Sequence, residues 1–134
     1  MSRAIATELV DFWRDAGMAK WFRGGDAFDA ECRARWLDAH FAAARREFDD
    51  WMEDAEGALA LVLLLDQIPR NVFRKSGHAF ATDPLALHCA SRAIDAGHVP
   101  GPRILTAGRG LCCTGGHGHD TDDTLDCDGP DALA

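Results

Sequence analysis

The chain has no long apolar run. Its longest, residues 58–65, falls far short of the roughly 20 apolar residues a bilayer span needs. Basic charge is also scarce: 14 Lys and Arg against 22 Asp and Glu leave a formal net charge of -8. That balance argues against nucleic acid and against an anionic membrane as partners. The opening "MSRAIATELVDFW" lacks the continuous apolar core of a secretory signal and meets Glu8 and Asp11 at once. Without such a signal, the odd number of cysteines, 5, reads as reduced thiols, and the cytoplasm is the expected compartment. Over the first 98 residues no segment alternates apolar and polar positions between turn signals, so no strand is expected there.

What is present is helical periodicity. At 134 residues with 47% hydrophobic and 27% charged positions, the chain is long enough for one domain with a core of its own. "AIATELVDFWRDAG" places Ile5, Leu9, Phe12 and Trp13 on one face, with Gly17 as its stop. "KWFRGGD" reads as a connector anchored by Trp21 and Phe22. A second helix is expected from Asp26 as N-cap, with Asp29 adding negative charge to its first turn and Phe28, Cys32, Trp36, Ala39 and Ala43 on its inner stripe. "EFDDWMEDAEG" is an acidic connector carrying Phe48 and Trp51. "GALALVLLLDQ", rich in Ala and Leu with only Val62 β-branched, reads as a helix buried all round. The last helix has Asp83 as N-cap, Pro84 in its first position, Leu87, Ala90 and Ile94 inward with Leu85 and the small core residue Cys89 beside them, and Gly97 as its stop.

Chemistry concentrates where the leucines end. Asp66, Gln67, Arg70, Asn71 and Arg74 follow "LVLLL" with no spacer. Pro69 disfavours helical geometry at Ile68 and predicts a break there. Arg70 and Arg74 share a face at i, i+4. The simplest expectation is a structural lock: one arginine folds back onto Asp66 while the other covers the open helix carbonyls. The alternative is a polar pocket for a small anion, a carboxylate or phosphate, in which Asp66 orients a guanidinium and His78 shuttles a proton. No second carboxylate, serine or cysteine stands at a spacing that specifies a reaction, so catalytic residues are not assigned. A non-catalytic helical scaffold or partner-binding module is the preferred reading, and a small-molecule binder or enzyme built on this cluster is the alternative. No cofactor is called for.

After His98 the composition changes. Residues 99–134 hold 7 of the 13 glycines, 3 of the 5 prolines and 3 of the 5 cysteines, with two arginines against six aspartates. So little apolar surface cannot offset the entropy of ordering, and an irregular tail is expected. Cys112, Cys113, His117, His119 and Cys127 are ligand types, but adjacent cysteines do not match the spacing of structural zinc sites, and no metal is expected.

"DFWRD" (11–15), "KWF" (20–22), "FDAECRARW" (28–36) and "LALVLLLDQIPRNVFRKSGHAFATDPLAL" (59–87) together resemble a bacterial family known as domain of unknown function 924. The resemblance covers about residues 9–98. It implies an all-helical fold of antiparallel hairpins stacked as in tetratricopeptide proteins, and it marks Asp66, Gln67, Pro69, Arg70, Asn71, Arg74, Phe80 and Asp83 as the polar motif. Members continue with further helices and an "LPFxHSE"-type segment, which is absent here. The expected organisation is therefore a helical domain over 1–98, an irregular stretch over 99–134, and an apolar face left open to self-association or a protein partner.

Overall fold

The computed structural model describes residues 2–99, and the backbone of 110–112 and 124–126. Chain contacts divide it into a unit ending at Pro102 and a second beginning at Arg103. Among its described residues the first unit is all α. Helix α1 (Ser2–Arg23) is followed by α2 (Gly25–Ala44), a tight turn at Asp49–Glu53, α3 (Ala55–Val62), a wide turn at Leu63–Gln67, α4 (Ile68–Val72) and, after a second tight turn at Gly77–Phe80, α5 (Asp83–Asp95). The principal packing joins every second helix, α1 on α3, α2 on α4 and α3 on α5.

The core is where the periodicity placed it. Leu9, Cys32, Trp51, Leu64, Leu65 and Ile68 are fully enclosed, with Trp13, Phe28, Trp36, Leu61 and Leu63 around them. Gly17 does not stop α1 but kinks it: its φ of 71° and ψ of 172° leave the helix, which resumes to Arg23. The kink turns Trp21 back so that its ring stacks on Trp13 at 6.2 Å and its Nε1 donates to the Trp13 carbonyl at 2.7 Å. Phe22, expected as a second anchor, is exposed instead. At the other end Gly97, φ 73°, closes α5: its N–H reaches the Ile94 carbonyl, and that of His98 reaches Ala93.

Two local expectations are corrected. Helix α2 begins at Gly25 with no side-chain cap, and Asp26 lies inside its first turn. A side-chain cap does form at the start of α3, where the Asp54 carboxylate accepts from Gly57 N–H at 2.9 Å. Helix α5 faces the core with Ala86, Cys89 and Ala93, while Leu87 is exposed. These small side chains let α5 lie close on α3, which the bulk of Leu87 would prevent.

In the second unit Gly110–Cys112 pairs in parallel with Thr124–Asp126, Leu111 opposite Leu125. The sequence reading contained no strand there. The rest of the expected tail, with Cys113, His117, His119 and Cys127, lies outside the described residues.

Candidate functional site

The polar cluster is built around a flaw in the helix. Pro69 has no N–H, so whether the chain follows an α or a wider path, a carbonyl one turn back loses its donor. The chain takes the wider path. Ile68 stays helical at φ -57°, ψ -45°, and its N–H reaches back to Leu63, five residues earlier. The break expected at Ile68 is thus replaced by a single π turn, the form in which helices absorb one extra residue. The neighbouring carbonyls are then met by side chains. His40 Nδ1 donates to Leu64 at 2.8 Å, Thr82 Oγ1 to Leu65 at 2.5 Å, and Arg70 Nη1 to Asp66 at 3.2 Å.

Each arginine is held by carboxylates. Arg70 meets Asp83 fork to fork, Nη1 to Oδ1 at 2.9 Å and Nη2 to Oδ2 at 3.1 Å, with an Asp66 oxygen at 3.4 Å. Asp83 therefore serves the arginine rather than capping α5, where Thr82 holds the cap position. Arg74 grips Asp29 through Nε at 2.7 Å and Nη2 at 2.8 Å, and Asn71 Nδ2 donates to the same carboxylate at 2.8 Å. The hydrogen bond from Arg74 first, and that from Asn71 after it, pull the Asp29 carboxyl below its ordinary value against the opposing effect of burial. In turn Asp83 raises the Arg70 guanidinium, and Asp29 that of Arg74. Gln67 donates to its neighbour Asp66.

The six residues expected at the site therefore sit in different environments. Asp66, Gln67 and Arg70 gather at the α3–α4 junction with Asp83, while Asn71 and Arg74 turn the other way, onto α2. His78 joins neither arginine: its ring packs on Phe73 at 4.1 Å and edge-on to His40 at 5.8 Å. Asp29 and His40 were missed. Nothing local marks Asp29, 45 residues from Arg74. His40, however, lies four residues beyond Trp36 on the Phe28–Cys32–Trp36 stripe, and that spacing alone places it inside. It is 1% exposed, and burial pushes its imidazole below the ordinary value. Cys32, also enclosed, is pushed up to about 12 by burial. Among the described residues no group of three or more His, Cys, Asp or Glu could hold a metal, and no helix is long and apolar enough to cross a membrane.

The family model described as "Bacterial protein of unknown function (DUF924)" matches residues 9–104. The chain belongs to that family. The match runs on past His98, where the resemblance in the sequence faded. A solved structure of a protein of unknown function from Agrobacterium tumefaciens is 56% identical, with a TM-score of 0.72 over 73% of this chain. The chain spans 56% of that protein's length. No curated protein matches it. The family carries no activity to transfer, so the chemistry must be read from the geometry.

Proposed function

We propose that this domain is a cytosolic helical scaffold that docks a protein partner, a second copy of itself included, through apolar surface. The observation that carries the reading is a cleft of about 320 Å³ lined by Val10, Trp13, Trp21, Leu59 and Leu63, with Arg14 beside it. Leu59 is 46% exposed at its edge, on the helix expected to be buried all round. The stacked Trp13 and Trp21, fixed by the indole hydrogen bond, make a rigid wall of the kind that anchors interfaces. The polar junction supports the same reading, because its guanidiniums are spent on carboxylates within the domain. The tetratricopeptide-like stacking that the resemblance implies would supply such a binding surface.

Sedimentation over a wide concentration range tests this. The chain should associate reversibly, and Leu59→Glu, which sets a charge at the cleft while leaving the core intact, should weaken association. A monomer at every concentration, or association indifferent to Leu59→Glu, would count against the cleft as the docking surface.

A further inference from the structure

A second cavity, of about 500 Å³, opens beside the junction, between α4 and the turn that leads to α5. Its lining includes Arg70, Arg74, Lys75, Ser76, Ala79 and Phe80 and contains no carboxylate. In a chain of net charge -8, that concentration of positive charge is out of keeping with the surface at large. The acids that neutralise Arg70 and Arg74, namely Asp29, Asp66 and Asp83, bind them from outside the lining. Lys75 makes no ion pair or hydrogen bond among the described residues. Its backbone is left-handed, φ 66°, an uncommon conformation for lysine. Ser76 Oγ accepts from His78 N–H at 3.2 Å, which leaves its hydroxyl proton free to donate. Arg74 Nη1 is likewise uncommitted, since Asp29 takes only Nε and Nη2. The remaining wall is apolar: Phe80 is 59% exposed, with Arg70 Cζ 5.0 Å from its ring centroid.

We propose that this cavity is a binding site for a small organic carboxylate with a flat apolar body. Lys75, the Nη1 edge of Arg74 and the Ser76 hydroxyl supply donors for the carboxylate, and Phe80 supplies a face for the ring. The apolar wall favours this class over inorganic phosphate, which would leave Phe80 uncovered. Arg70 and Arg74 were expected to take the anion jointly, but both are clamped, so the free charge is that of Lys75. The site is separate from the Leu59 cleft and does not depend on it.

Benzoate is a suitable probe, titrated by calorimetry at low ionic strength with acetate and phosphate alongside. Benzoate should bind saturably, and acetate and phosphate about tenfold more weakly or worse. Lys75→Asn, which keeps a side chain that tolerates left-handed backbone, should weaken benzoate about tenfold through loss of a charged hydrogen bond. Phe80→Ala should weaken it about three- to tenfold through loss of the stacking face. On the unaltered chain, benzoate should protect Lys75 from amine acylation, read by mass spectrometry, while Lys20, the other lysine of the chain, reacts as before. Leu59→Glu should bind benzoate normally, so this site and the docking cleft fail separately. Absence of saturable binding, equal affinity for phosphate, unchanged affinity in Lys75→Asn, or no protection of Lys75 would overturn the proposal.

Discussion

Replacing Asp29 by alanine removes the one carboxylate that ties α2 to α4. The side chain is 16% exposed and accepts three hydrogen bonds, from Asn71 Nδ2 and from Nε and Nη2 of Arg74. Asn71 is 7% exposed, so its amide would be left without an acceptor in a place water scarcely reaches, a loss of about 1–3 kcal/mol. Arg74 is about half exposed and can turn to solvent, so its share is at most about 1 kcal/mol. Together these come to about 1–4 kcal/mol, at about 4–8 °C in melting temperature per kcal/mol for a domain near 100 residues. Asp29→Asn should cost less, because it keeps an acceptor for Asn71.

The pH dependence gives a second check on the same carboxylate. Its pKa is lowered in the folded state, so the contribution is complete above the unfolded value and is lost as pH falls through the folded one. Wild type should therefore lose stability below about pH 4 relative to Asp29→Asn, which has no such proton to take up. Urea unfolding followed by circular dichroism at pH 7 and in the acid range measures both effects. A loss under about 0.5 kcal/mol for Asp29→Ala at pH 7, the scale of a plain surface change, would refute the assignment.

Three further outcomes follow from the π turn and the buried groups. Thr82→Val, close in shape, strands the Leu65 carbonyl and should destabilise by about 1–2 kcal/mol in the same assay. His40 is depressed by burial, so its contribution is present above the unfolded value near 6.5 and fades as pH falls below it; His40→Gln should lack that slope below pH 6.5. Cys32, enclosed and raised to about 12, should resist alkylation in the native protein at pH 8 and react only on unfolding, as read by mass spectrometry.

The helices of residues 2–99 were legible because burial repeats at helical spacing, and Gly97 marked the end of the last one correctly. What misled were local rules that tertiary contacts override. Pro69 promised a break, yet α2 and the turn before α5 supply donors to the carbonyls it leaves bare, so the chain bends through a π turn. Asp83 had the position of an N-cap but is paired with Arg70. Leu87 matched an apolar stripe, while the smaller Ala86 took the inward face beside Cys89, which was expected there. Within the cluster, the Asp66–Arg70 pair was readable at i, i+4. The Asp29–Arg74 and Arg70–Asp83 pairs were not, since they span 45 and 13 residues and no spacing announces them. Lys75 escaped notice because its importance lies in what its neighbours have already used up.

The account rests on the junction being an internal lock, and the coupling energy between Arg70 and Asp83 measures that most directly. A double-mutant cycle with Arg70→Met, Asp83→Asn and the pair, each unfolded in urea, isolates it. A lock predicts that the double variant loses less than the two single variants summed, with a coupling of about 1–2 kcal/mol for a charge-assisted, partly buried fork. Losses that simply add, to within about 0.5 kcal/mol, would mean that Arg70 is not held by Asp83 and is free for another task.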